Sequence, residues 1–356
     1  MIYHSPEGQP YWDESACYRF TSAQVDELEK ATYELDSMCL DAVQHVLDNK
    51  LFDRFLIPPE FADYVTQSWE TDEITIYGRF DLAYDGAGPP KLLEYNADTP
   101  TALLEAAVVQ WHWLQAFEGG GHDQFNSIHE RLIEAWGAVK PSVGGALQFA
   151  AMGGQDEDFM TVNYLRDTAM QAGLETGYLD VEQIGWNEAQ KSFVDLAEQP
   201  MWNCFKLYPW EWMITDEFGK KVLENNTRWF EPPWKMILSN KATLPLLWEM
   251  FPESPYLVRA LREPLGGAYI KKPLRAREGA NVSVVEYGIT TESTTGPYEA
   301  EPCVYQELVK LPCFEGNYVV VGSWMVNGYA CGVGLREDTR RITGNTSRFV
   351  PHFIAD

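Results

Sequence analysis

The amino-acid sequence predicts a multi-lobed protein of the α+β and α/β classes, and three observations carry that prediction. Its 356 residues exceed what one core ordinarily organises, at about 150 residues per domain. The stretch after Pro141 runs strand, helix, strand, which is the order of a parallel sheet with crossover helices, whereas hairpins and separate helices flank it. Hydrophobic residues make up 45% and aromatics 13%, enough to fill packed interiors and to exclude a disordered chain. The expected division is 1–140 together with 311–356, a middle lobe at 141–233, and a third lobe at 234–310.

From Thr21 to Lys50 the residues Val25, Leu28, Leu35, Met38, Val43, Val46 and Leu47 recur at helical spacing. Thr21 with Gln24 gives a capping box, so the segment predicts one long amphipathic helix. The span ITIYGRFDLAYDGAGPPKLLEYNAD, Ile74 to Asp98, reads as two short strands joined by a Gly/Pro/Asp turn. Thr99 and Pro100 then suit an N-cap and a first helical position, predicting a helix through TALLEAAVVQWHWLQAF. A second helix covers 124–138 and stops near Gly137 and Pro141. In the middle, GALQFAAM is a strand, DFMTVNYLRDTAMQAG a helix closing at Gly173, and LETGYLDV and NCFKLYPW are further strands. Beyond Trp234 the pattern gives a helix over KATLPLLWEMF, a strand AYIKK, a loop PLRAREGAN, and strands at NVSVVEY and CVYQELV. The Thr/Ser/Gly cluster at 290–296 is at most a short surface loop. GNYVVVGSWMV and YACGVGL flank Asn327-Gly328, the pair a type I′ hairpin turn favours.

Lys and Arg number 27 against 53 Asp and Glu, a net charge of −26 with no basic run, which disfavours nucleic acid and anionic membranes as partners. Such a charge accommodates a cationic ligand, and equally serves solubility alone. Six cysteines without a CxxC pair and six histidines without HExxH spacing give no transition-metal signature. Reduced thiols and a cytoplasmic address are expected, with Cys303 and Cys313 more readily buried free thiols than a disulfide. The opening MIYHSPEGQPYWDES lacks a basic and an apolar region, and no stretch reaches eighteen apolar residues, so neither signal peptide nor membrane span is expected.

Chemistry concentrates in the Ile74–Asp98 hairpin. Successive strand side chains alternate faces, so Arg79 with Asp81, and Glu94 with Asn96, each two apart, share a face. Two carboxylates and an amide oxygen form a hard donor set suited to Mg²⁺, which keeps waters and takes phosphate oxygens, while an arginine grips a phosphate in a fork. The competing reading is an edge hairpin with one solvated polar face. The loop after Lys272, with Arg275, Arg277 and Gly279, has the composition of one that closes over phosphates, or of a solvated basic turn. Lys241 follows Asn240 in the first turn of its helix, where a cation is mildly unfavourable, so a nearby phosphate, or simple exposure at a cost of a few tenths of a kcal/mol, accounts for it.

LLEYNADTPTALLEAA, ILSNKATLPLLWEMFPESPYLVRA, KKPLRAREGANVSV and GLREDTRRITGNTSRFVPHFI, in that order, resemble the glutathionylspermidine synthase family over nearly the whole chain. More closely, they look like its stand-alone synthetase-type members, the acid–amine ligases. The resemblance implies a circularly permuted ATP-grasp fold of glutathione-synthetase-like type with a Rossmann-like pre-ATP-grasp lobe, using ATP and Mg²⁺. On that resemblance Asp81, Glu94 and Asn96 match the Mg²⁺ ligands, and Arg79 the arginine beside the transferred phosphoryl group. Lys241 and Lys272 match the ATP lysines, Arg277 and Gly279 a mobile loop over the phosphates, and Arg336 a phosphate-side arginine. Gln306, Glu307 and Leu308 match the strand that meets adenine through its backbone. Thr99 and Thr101 match small hydroxyl residues near the carboxylate substrate. Asp156, Glu157 and Asp158 form an acidic stretch suited to a polyamine, or else a charged loop before a helix at Phe159. Ala102 stands where glutathione-using members are expected to be more polar, and the chain starts in the synthetase part, so no amidase activity is expected.

The implied reaction joins an acid, for example a glutathione-like peptide, to an amine such as spermidine through an acyl phosphate. Closure of the 274–280 loop shields that intermediate, and the departing phosphate serves as base. Two other readings use the same cleft: a catalytically idle ATP-binding regulatory or scaffold protein, and a phosphotransferase.

Overall fold

A computed structural model describes residues 11–119, 121–344 and 347–356. The first ten residues, on which the expected lack of a signal peptide partly rests, and Asn345 and Thr346 of the last family-like segment lie outside the described residues.

Strand β1 (Tyr18–Phe20) leads into α1 (Ser22–Asp48), whose start is the expected capping box: Gln24 N donates to Thr21 Oγ1 and Thr21 N to Gln24 Oε1. Leu28, Leu35, Cys39, Val43 and Val46 form its buried stripe. After α2 (Ala62–Glu70) come β2 (Tyr77–Ala83) and β3 (Lys91–Asn96), an antiparallel pair with Arg79 opposite Asn96 and Asp81 opposite Glu94. Every residue of β2 is buried, with Phe80 stacked on Tyr95 at 3.8 Å between centroids.

The next helix starts at Leu103, not at Pro100, widens into a π turn over Glu105–Val109 and continues as α3 (Gln110–Ala116). Thr99 does not cap it. Tyr77 Oη donates to Pro100 O, Arg79 Nη1 donates to Thr101 O, and Ala102 turns the chain at φ 68°, so distant side chains override the local helix signal. Helix α4 (Ile128–Val139) follows.

Strand β4 (Leu147–Ala151), α5 (Asp156–Gln171), β5 (Thr176–Asp180), a small hairpin of β6 (Gly185–Asn187) and β7 (Ser192–Val194), β8 (Asn203–Leu207), the one-turn α6 (Trp210–Met213) and β9 (Arg228–Phe230) form the middle. The order β5-β4-β8-β9 is wholly parallel, and Gly173 at φ 81° follows the end of α5 as expected. Asp156, Glu157 and Asp158 are the first turn of α5 itself, not a loop before it, which the helix dipole favours.

Helices α7 (Lys235–Ser239) and α8 (Thr243–Met250) precede an antiparallel sheet of β10 (Ala260–Leu261), β11 (Ala268–Pro273), β12 (Ser283–Glu286), β13 (Ile289–Ser293) and β14 (Cys303–Glu307), ordered β10-β14-β11-β12-β13. The Thr/Ser/Gly cluster is therefore partly the edge strand β13, because Ile289, Thr290, Glu292 and Ser293 pair with β12 across a bulge at Thr291. Lys241 lies before α8, not in its first turn.

Strands β15 (Cys313–Phe314), β16 (Asn317–Val326), β17 (Tyr329–Asp338), β18 (Arg348–Val350) and β19 (His352–Ile354) close the chain. Asn327 and Gly328 both have positive φ, 48° and 78°, as a type I′ turn requires. The sheet order β18-β17-β16-β2-β3 makes β2 a central strand beside β16, and β19 pairs in parallel with β1. Cys39, Cys204 and Cys331 are buried, Cys303 is half-buried and Cys313 exposed, with no disulfide joining the last two. Among the described residues no helix is long and apolar enough to cross a membrane.

Candidate active site

A cavity of about 220 Å³ opens where the β2–β3 hairpin, the β11–β14 sheet, the carboxyl end of β8 and the first turn of α5 meet, the end of a parallel sheet at which ligands bind. The residues named from the sequence as candidate site residues line it except two: Asp156 is exposed at the start of α5 while Glu157 and Asp158 line the wall, and Arg275 of the 274–280 loop pairs instead with Glu301, Nε to Oε1 at 2.8 Å.

The hairpin patch is not a solvated face. Arg79 grips Asp81 with two bonds, Nε to Oδ1 at 2.6 Å and Nη2 to Oδ2 at 3.1 Å. Arg336, reaching across from β17, donates to Asp81 Oδ2 at 2.8 Å, and Asn96 Nδ2 donates to the same oxygen at 3.2 Å. Lys241 Nζ sits 3.1 Å from Glu94 Oε2 and donates to Ala276 O at 2.6 Å, a partner that answers the charge question raised by its position. Lys272, from β11, donates to Leu93 O and to Gln306 Oε1, both at 2.9 Å. The hairpin and the two lysines, far apart in sequence, thus share one wall.

Four cations face two carboxylates here, so the wall carries positive charge for a polyanion. Burial raises the Glu94 carboxyl, but Lys241, Lys272 and Arg336 outweigh it and hold the group down at about 2. Burial, with Lys241 adding to it, lowers Lys272 to about 8 despite Glu94 and Asp81. Burial and Arg79 depress Arg336.

Asp81, Glu94 and Asn96 offer two carboxylates and one amide to the same cavity, a set that fits Mg²⁺ completed by water and phosphate oxygens. Among the described residues no cluster of three or more His, Cys, Asp or Glu side chains forms an all-protein metal cage. At the far wall, Ile270, Leu308, Leu311 and Val320 provide an apolar surface. The backbone N–H groups of Glu307 and Leu308 donate to Arg259 O and Ala268 O, and the Gln306 amide is committed to Leu92 O and Lys272. Those two N–H groups are therefore spent within the sheet, and the expected backbone contact to a base is limited to the remaining carbonyl edge.

Gly279 adopts φ 68°, and a Cβ there would lie 2.5 Å from Thr343 O, so the 274–280 loop needs glycine to lie against the C-terminal segment. Across the cavity, Tyr11 Oη donates to Glu157 Oε1 at 3.3 Å. Burial with Glu157 and Glu278 raises Asp158 to about 6, and burial with Glu157 raises Glu105 to about 7, so this end is crowded with carboxylates.

Sequence reasoning missed Tyr11, Glu211, Trp212 and the buried pair Asp98–Lys206, whose Oδ1 and Nζ are 2.8 Å apart. A signal existed for Glu211: one charge among tryptophans, in PWEWM, just past the carboxyl end of a parallel strand.

The family model described as glutathionylspermidine synthase preATP-grasp matches residues 1–355. A Haemophilus influenzae protein named "Putative acid–amine ligase" is 43% identical, over 98% of this chain and 92% of its own length. The bifunctional glutathionylspermidine synthetase/amidase of Escherichia coli is 30% identical over 95% of this chain, which spans only 59% of that relative. The apo structure of a glutathione synthetase-like effector from Globodera pallida superposes with a TM-score of 0.62 at 8% identity, covering 95% of this chain and 89% of its own, a likeness of fold. With two distinct sheets and a parallel sheet around one cationic cavity, and with these matches along its length, the chain belongs to the glutathionylspermidine synthase pre-ATP-grasp family and is a C–N ligase.

Proposed function

We propose that the chain is an ATP-dependent acid–amine ligase that forms an amide through an acyl phosphate, with a peptide-like carboxylate as acid and a polyamine as amine. The observation that supports this most is the 3.1 Å approach of Lys241 to Glu94, which brings the late-sequence lysines to the early-sequence hairpin around a single cavity.

A carboxylate does not condense with an amine in water, so its oxygen first attacks the γ-phosphorus of ATP and ADP departs. The amine nitrogen then attacks the acyl carbon, the C–O bond to phosphate breaks, and the leaving phosphate takes up the amine proton. Asp81, Glu94 and Asn96 would hold Mg²⁺, which when bound neutralises phosphate charge. Arg79, Arg336, Lys241 and Lys272 supply fixed positive charge around the phosphoryl group, so most of the rate comes from position and electrostatics. Thr99 and Thr101 lie beside Arg79 and Arg277, where an acid would enter. Glu157 and Asp158 make the opposite wall acidic, which suits a polycation such as spermidine.

The test is ADP release from ATP and Mg²⁺ with glutathione plus spermidine, then with a panel of acids and amines, and mass spectrometry of the products. An amide formed together with ADP upholds the reading. A stable phosphorylated product would replace it with a phosphotransferase, and no nucleotide-dependent product across the panel would leave a binding protein.

A further inference from the structure

Arg277 reaches the cavity from the loop between β11 and β12, yet its charge is held from the parallel-sheet side. Its Nε and Nη2 donate to Glu211 Oε1 at 3.2 and 2.7 Å, its Nη1 donates to Thr99 Oγ1 at 2.6 Å, and its guanidinium lies 5.8 Å from the centre of the Trp212 ring. Glu211 itself does not line the cavity. Despite burial, Arg277 keeps the Glu211 carboxyl below its ordinary range, so the pair is charged at neutral pH.

The two partners differ in support. Glu211 sits on α6, whose first N–H, that of Trp210, donates to Asp98 Oδ2 at 2.9 Å, while the Trp210 indole N–H donates to Glu231 O at 2.9 Å. Lys206, one residue's reach away, ties Asp98 Oδ1 to Tyr208 O. Arg277 instead belongs to a loop with Glu278, Gly279 and Asn281 all at positive φ. A carboxylate on a helix therefore faces an arginine carried on a loop, whose other ties are Lys241 Nζ to Ala276 O and Arg275 Nε to Glu301 Oε1. Three of the five guanidinium N–H groups are used, leaving one on Nη1 and one on Nη2 for a ligand.

We infer that Glu211 is a positioning residue that latches Arg277, and with it the 274–280 loop, over the cavity before nucleotide arrives, so that the acyl phosphate is formed behind a door already shut. The inference rests on the ligase reading for its catalytic consequence, but the latch itself is independent of it. An anchored carboxylate on an arginine is a charge-assisted contact, and its loss shifts the open population roughly ten- to a hundredfold.

Trypsin digestion of the nucleotide-free protein reads the latch directly through cleavage after Arg275 and Arg277. Glu211→Gln should be cut there roughly ten- to a hundredfold faster than the wild type at a temperature where both are still folded by circular dichroism, with Glu211→Asp in between because its charge is kept on a shorter arm. In turnover, ADP released per amide should rise above one in Glu211→Gln, because water reaches the acyl phosphate. Equal cleavage rates in wild type and Glu211→Gln overturn the latch. Faster cleavage with an unchanged ADP-to-amide ratio overturns its shielding role. A wild type that forms no amide removes the ligase reading, and the digestion still decides the latch.

Discussion

Asp98→Asn tests how strongly the buried frame beneath the cavity depends on one ion pair. Asp98 and Lys206 are each 1% exposed, and their charged atoms are 2.8 Å apart. Asparagine keeps the shape and one acceptor but leaves the Lys206 ammonium with Tyr208 O and the Trp210 ring, 4.5 Å away. Breaking one side of a buried pair costs about 3–5 kcal/mol. Lysine has an escape that sets a ceiling: shedding its proton at neutral pH costs about 5 kcal/mol from an ordinary value near 10.4, and burial already lowers the Lys206 pKa. The loss should therefore fall between about 3 and 5 kcal/mol, measured as a shift of the urea midpoint followed by tryptophan fluorescence. Because the folded variant then binds fewer protons than the unfolded chain, the deficit should shrink as pH rises toward the ordinary lysine value. Asp98→Asn combined with Lys206→Met, which removes both charges, should recover most of it. A single variant within about 1 kcal/mol of wild type, or a double variant no better than the single, would refute the reasoning.

Glu94→Gln should lower ADP-forming turnover by about three orders of magnitude or more while melting remains cooperative, since it removes a carboxylate from the cavity wall and not from the core; steady-state ADP release measures it. Gly279→Ala should raise the KM for ATP by about tenfold, from left-handed strain of about 1–2 kcal/mol and the clash with Thr343 O, and an unchanged KM would show that the loop does not need that seat. Lys272 titrates near 8, below the ordinary lysine value, so between those limits the unfolded chain holds a proton that the folded one lacks, and the nucleotide-free protein should gain stability as pH rises through this window. ADP affinity should fall over the same window as the ammonium is lost, and calorimetric titration from pH 7 to 9.5 that finds constant affinity would contradict the placement of Lys272 at the phosphates.

Features set by neighbours in sequence were legible in the sequence. The Thr21–Gln24 capping box, the paired i, i+2 polar residues on β2 and β3, and the Asn327-Gly328 turn each need only a few adjacent residues, and all appear in the structure. Features set by distant partners were not. The Thr99-Pro100 helix start failed because Tyr77, Arg79 and Arg277 engage residues 99–101 and Ala102 is left-handed. Lys241 lies two residues before the start of α8 and not inside it, its backbone N–H taken by Leu274 O just past the end of β11. Glu211 carried a local signal in PWEWM, but its partner Arg277 lies 66 residues further on, which no local pattern reveals. The likeness to a family supplied what local rules could not, the pairing of the hairpin with the two lysines.

The central position of β2 has a consequence for synthesis. Its neighbour β16 begins at Asn317, more than two hundred residues after β2 ends at Ala83, so the strand carrying Arg79 and Asp81 has one flank unpaired while the ribosome makes everything between. At roughly 5–20 residues per second that wait lasts on the order of tens of seconds, during which a strand edge with unpaired backbone N–H and C=O groups is open to the wrong partner. The parallel-sheet unit, whose strands all lie within 147–230, can settle in the meantime and give the nascent hairpin a surface to rest on.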